Sequence, residues 1–154
     1  MGYLPESVLE ALAKRPFDLL DLAKKLPEGG FTWQPHPNVK SMRGVLAHML
    51  DAEQYWVYRV LRGETVSKRE VPYSTPGELE ADWRPVRERT VAYLRDLSAA
   101  ALAEMRILPW DPETKVSVEF ILWHFVTHEF HHKGQVCTRL AMLGVDVPDL
   151  DLIG

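Results

Sequence analysis

The chain has little with which to cross-link itself. Cys137 is its single cysteine among 154 residues, so an intramolecular disulfide is excluded and a reducing compartment is expected. Positive charge is also short. Eighteen Lys and Arg against 22 Asp and Glu leave a formal net charge of −4 and a pI near 5.9. No global positive field therefore invites phosphate backbones or anionic lipid, and neither nucleic acid nor membrane is expected as a partner. Long apolar runs are missing too. The longest, from Phe120 to Val126, is interrupted by His124 and falls far short of the roughly 20 residues that span a bilayer. The first 17 residues, MGYLPESVLEALAKRPF, carry Glu6 and Glu10 and do not read as a secretory leader. A soluble cytoplasmic protein is expected. Strand signals are nearly absent, with no sustained alternation and no Asn-Gly or Asp-Gly hairpin turn.

What the chain does have is helical periodicity, in an ordinary globular composition of 46% hydrophobic and 26% charged residues. No repeat or linker divides it, so one domain covering residues 1–154 is expected. A first helix is predicted over about residues 6–26, with Val8, Leu9, Leu12, Leu19, Leu20 and Ala23 at spacings of three and four. Pro16 should kink it or start a new helix there. Pro27 and Gly29-Gly30 should stop it. A proline-broken loop, FTWQPHPNVK, follows. Ser41 is placed to cap a second helix that continues to about Leu61 and ends at Gly63. Thr75-Pro76-Gly77-Glu78 reads as a capping box with proline at the first helical position, opening a third helix to about Glu104. A loop over residues 106–115 then leads to Ser117, the cap of a fourth helix that stops at Gly144. The tail VDVPDLDLIG is too short and proline-broken for another element. The expected fold class is all-α, as a four-helix bundle.

Chemistry concentrates in the fourth helix. The stretch WHFVTHEFHHKGQ holds His124, His128, His131 and His132 within nine residues. Residues four apart on a helix stack one turn above the other, so His128 and His132 can aim imidazole nitrogens at one point. A lone histidine pair would more often be satisfied core. A third imidazole changes the balance. His48, mid-helix in LAHMLDAEQYW beside Val45, Ala52 and Tyr55, sits on a core-facing side. Burying it without a partner would be costly. A metal shared with the fourth helix supplies that partner, as helical-bundle cores commonly do. Three protein ligands would leave a fourth position for water or substrate.

His128-Glu129-Phe130-His131-His132 also satisfies H-E-x-x-H, the zinc-protease signature in which the glutamate is general base. Its context is poor. No glutamate follows Glu129, no histidine follows His132, and Gln135 stands where the longer motif wants glycine. The protease reading is set aside.

The early histidine in LAHMLDAEQYWVYRVLRG, followed by HEFHHKGQVCTRLAMLGVDVPDLD, resembles the DinB-like (DinB/YfiT) superfamily, whose members are regarded as metalloenzymes. The resemblance runs from the Trp33-x-Pro35 loop to Gly144, and the H-x-x-x-H-x-G-Q core is its most specific part. It implies a four-helix bundle with an up-down-down-up path, often dimeric, with a metal between helices held by His48, His128 and His132. Imidazole ligands suit zinc, nickel, copper or iron, with zinc or nickel expected foremost. The resemblance further implies a small-molecule substrate or a low-molecular-weight thiol, a homodimer, and hydrolase or thiol S-transferase chemistry. The alternative is a non-catalytic metal-binding stress-response protein.

Around the ligands, Gln135 would either hydrogen-bond a ligand or a bound water, or pack between helices. His124 would line the pocket or carry protons, with a core or surface role as the alternative. His131 is left open. Glu129, turned about 100° from His128, is expected to be solvated or salt-bridged. Arg139 and Asp51 are expected at the surface, or in the pocket. Tyr55, Trp56, Trp123 and Phe125 should build core or a pocket wall. Cys137 should behave as a small hydrophobe.

Overall fold

The computed structural model describes residues 2–151. Four long helices dominate it: α1 (Glu6–Ala23), α2 (Met42–Glu53), α3 (Pro76–Arg95) and α5 (Val118–Met142). α1 packs on α3, α2 on α5, and α1 also touches α5. The predicted caps form. Ser41, Thr75 and Ser117 accept hydrogen bonds from the backbone N–H groups of Gly44, Glu78 and Phe120, satisfying donors that the first helical turn leaves free. Gly63 and Gly144 adopt φ of 66° and 82° where the helical runs end, a left-handed conformation that costs other residues a steric clash.

Four expectations need correcting. The chain is mostly helical, with one small two-stranded sheet. β1 (Met105–Leu108) and β2 (Asp111–Ser117) form an antiparallel hairpin where a loop is predicted. Its pattern is inverted, with Met105 and Ile107 exposed while Arg106 turns inward to donate to the carbonyl of Leu61. Period-two reasoning looks for apolar residues on the inner face and so misses it. The third helix ends at Arg95, not Glu104, and a five-residue helix, α4 (Ala99–Ala103), follows with its own cap at Ser98.

The second helix changes form. Beyond Glu53 it continues as a π-helix over Gln54–Leu61, wider by about one residue per turn. The N–H of Arg62 reaches the carbonyl of Val57, five residues back. Finally, Pro16 does not start a new helix, since α1 runs past it as one element from Glu6 to Ala23. Proline removes the donor for the carbonyl four residues earlier, here that of Leu12. Arg87 of α3 supplies the missing donor, with Nη1 2.6 Å from the Leu12 oxygen.

The core falls into two apolar clusters separated by a charged layer. One contains Phe17, Leu50, Trp83 and Val136; the other contains Leu12, Val57, Val91 and Phe125. Between their members on α2, α3 and α5 lie Glu53, Arg87 and Glu129, all buried. Among the described residues, no helix is long and apolar enough to cross a membrane. The tail forms no regular element through Asp151; the expectation for its last three residues lies outside the described range.

Candidate metal centre

α2 carries His48 and α5 carries His128 and His132, and the packing of these helices brings the three rings together. His128 Nε2 lies 3.2 Å from Nε2 of His48 and 3.1 Å from Nε2 of His132. All three donor atoms lie within 4.8 Å of one another. Three nitrogens about 2.0–2.1 Å from a tetrahedral ion would sit about 3.3 Å apart. The donor set therefore fits one divalent metal ion.

Protonation suits the same reading, because a ligating imidazole must be neutral. Burial lowers the pKa of all three rings. For His128, burial and the neighbouring His132 and His48 push it down to about 4. Burial, then the charge of His132, lowers His48. Burial also lowers His132, against the opposing pull of its bond to Gln135.

Gln135 is one turn beyond His132 and makes both bonds open to it. Its Oε1 lies 2.9 Å from His132 Nδ1, and its Nε2 lies 3.1 Å from His131 Nε2. With the amide oriented this way, His132 Nδ1–H donates to Oε1 and Gln135 donates to His131. Nε2 of His132 is then left with its lone pair toward the cluster. Gln135 thus holds a ring of the cluster in place.

A cleft of about 360 Å³ opens against His48 and His128. The π-helix forms one side of it, presenting Gln54, Tyr55, Trp56 and Arg59. Asp51, Val66 and Lys68 complete the rim. Tyr55 and Trp56 line the pocket and pack against the core behind it, whereas Phe125 is buried as core and Trp123 is exposed. His124 is exposed against Trp56, ring centroids 4.5 Å apart, and flanks His128 at 5.8 Å. Asp51 is at the cleft; Arg139 is buried, donating to backbone carbonyls of Gln135 and Lys40. Cys137 is half-buried, and burial raises its thiol pKa.

Glu129, the glutamate of the H-E-x-x-H match, points elsewhere. It is 4% exposed and paired with Arg87, which also binds Glu53 through Nε and Nη2. Glu53 accepts a further bond of 2.6 Å from Trp83 Nε1. Burial raises the pKa of Glu129, partly offset by Arg87. Burial works against the Arg87 charge, yet Glu129 and Glu53 hold its pKa raised. A carboxylate engaged in this way cannot activate water at the histidine cluster. Sequence reasoning allowed a salt bridge at Glu129 but missed Glu53 and Arg87. Their spacing held a signal: Arg87 is four residues from both Trp83 and Val91, and Glu53 lies between Leu50 and Val57, all apolar positions.

Comparison with known proteins matches the sequence pattern of the DinB superfamily over residues 11–136. The chain belongs to the DinB superfamily. It is 24% identical over 116 residues to the uncharacterised protein YizA of Bacillus subtilis, covering 75% of this chain and 73% of that one. Its fold is similar to the crystal structure of a DinB-like protein, YjoA, from Bacillus subtilis. That likeness has a TM-score of 0.72 at 21% identity and covers 93% of this chain and 96% of the other. A DinB-superfamily chain with three converging imidazoles is thus in hand.

Proposed function

We propose that His48, His128 and His132 hold one divalent transition metal, zinc or nickel foremost and iron or copper otherwise. Its open coordination position would face the cleft. The bundle would follow the up-down-down-up path that the family resemblance implies. The observation that carries the proposal is the convergence of three Nε2 atoms at 3.1 and 3.2 Å beside a cleft large enough for a small molecule. Three neutral ligands leave such an ion its full charge, and when bound it would acidify a water or a thiol in the open position. The protein would act as a metal-dependent hydrolase or a thiol-dependent transferase on a small-molecule substrate. Its own residues supply the rest. Tyr55, Trp56 and Val66 wall off solvent with apolar surface, Arg59 and Lys68 bring positive charge to the rim, and Gln135 holds His132 in the ligating tautomer.

Elemental analysis of the purified protein with His48→Ala and His128→Ala tests the site. Close to one equivalent of metal in the parent and a loss of tenfold or more in affinity in each variant is expected. Variants that hold as much metal as the parent would sink the proposal. Cobalt substitution then separates the two chemistries. A small thiol that shifts the cobalt absorption bands supports transferase chemistry, whereas silence toward thiols leaves the hydrolytic reading.

A further inference from the structure

Arg59, on the cleft, stands apart from every other arginine of the chain. Each of the others donates a hydrogen bond to a carboxylate or to a backbone carbonyl. Among the described residues, Arg59 alone has no such partner. Its guanidinium lies instead over an aromatic face, the central carbon 5.5 Å from the middle of the Tyr55 ring. The carboxylates around it are engaged elsewhere. Glu64 shares the adjoining rim with Arg59, yet Arg62 and Arg89 hold it at 2.6 and 3.0 Å. Asp51 faces Lys68, the other cation of the cleft, at 3.8 Å. Arg59 is thus the cation of the cleft left without a counter-charge, in a chain whose net charge is −4.

We propose that Arg59 binds a carboxylate of the substrate, and that the cleft takes an elongated monoanion with an apolar or aromatic body. The proposal rests on the cleft being the substrate site, as read above, and adds the class of molecule that enters it. The planar fork of a guanidinium matches the two oxygens of a carboxylate, and its weak hydration makes it cheaper to desolvate than an ammonium. One guanidinium balances one negative charge, whereas a phosphate dianion would leave a charge unmatched.

The surroundings favour such a pair. Tyr55, beneath the guanidinium, is braced edge-on by Trp56 at 5.4 Å and stacked against Trp110 at 6.1 Å. A cation held over a braced ring has less freedom to lose on binding, and apolar walls strengthen its attraction to an anion. Ala52, Tyr55, Trp56 and Val66 line the same cleft and supply apolar surface for the body of the molecule. Length follows from the helix. Eleven residues separate His48 from Arg59, about 15 Å along the axis. An arginine side chain leans back toward the helix N-terminus, so the carboxylate would sit on the order of 10 Å from the histidine cluster.

Calorimetric titration of phenylacetate, phenylbutyrate and phenylhexanoate, each beside its neutral amide, tests the inference on the parent, Arg59→Met and His128→Ala. The tightest carboxylate should bind the parent about fivefold more strongly than its amide, the upper end for a partly solvated ion pair. Arg59→Met should bring acid and amide within about twofold, with metal content and melting those of the parent, because Arg59 is exposed and holds no other group in place. His128→Ala should keep the preference for the acid. Equal binding of acid and amide by the parent, or no binding of either up to about 10 mM, would overturn the inference. A preference that survives Arg59→Met would overturn it too; if His128→Ala abolishes that preference, the carboxylate sits on the metal and the metal reading stands. A parent that holds no metal yet prefers the acid through Arg59 would uphold the inference and remove the metal reading.

Discussion

Arg87 donates a 2.6 Å hydrogen bond to the carbonyl oxygen of Leu12, the acceptor that Pro16 leaves without its helical donor. The same guanidinium holds Glu53 of α2 and Glu129 of α5. One side chain of α3 thus touches each of the other three long helices. It does so in the layer between the two apolar clusters, where its partner Glu129 directly follows His128 in the chain.

Removing that side chain should be severe. Arg87→Met leaves two buried carboxylates without a counter-charge, and breaking such a pair from one side costs about 3–5 kcal/mol. In a Pro16→Ala background, the alanine restores the backbone N–H that the Leu12 carbonyl needs. The cost of Arg87→Met should then fall by about 1 kcal/mol, the size of one net hydrogen bond. Urea unfolding of the four proteins measures the cycle. Strict additivity would contradict the link between Pro16 and Arg87.

Glu129→Gln discriminates between the motif's usual role and its role here. A general base would be dispensable for folding and essential for turnover. The buried Glu129 should instead cost about 1–3 kcal/mol of stability when its charge is removed, while metal content stays within twofold of the parent. Unchanged melting with abolished turnover would restore the catalytic reading.

Gln135→Leu frees the Nδ1 side of His132. Partners that orient a ligating imidazole typically change metal affinity 10–100-fold when lost. Competition with a chromophoric chelator should show a fall in that range, with little change in melting, since Gln135 is only half-buried. Affinity equal to the parent would show that the amide merely packs.

The metal-free protein should weaken in mild acid. His128 has its pKa lowered from 6.5 to about 4, so below pH 6.5 the unfolded chain takes up a proton that the folded chain refuses. Proton binding by the unfolded state alone drains stability as pH falls. Melting of chelator-treated protein should therefore drop progressively between about pH 6.5 and about 4, over and above the trend of His128→Gln. Parallel curves for parent and variant would mean that the ring is not held neutral.

Much of this protein could be read directly. Three of the four long helices begin at caps visible as Ser41, Thr75-Pro76 and Ser117, because N-capping is chemistry between residues three apart. His128 and His132 were legible for the same reason: one turn of helix makes them neighbours. His48 was legible only as an imidazole on an apolar face in need of a partner. The hairpin hid behind Arg106, whose inward turn serves the carbonyl of Leu61 and not the core. The π-helix hid because widening a turn by one residue leaves the apolar spacing of Val57, Tyr58, Val60 and Leu61 almost as an α-helix would have it.

The sequence by itself determined the local elements, where they start, and which residue types were available for a metal. Those outcomes depend on contacts within one helical turn. Tertiary structure alone decided which carboxylates face which cation, and that the H-E-x-x-H glutamate is buried against Arg87. It also decided that Pro16 is tolerated and that His48 meets His128 and His132. Each of these depends on the distance between helices remote in the chain, and no local propensity encodes that distance.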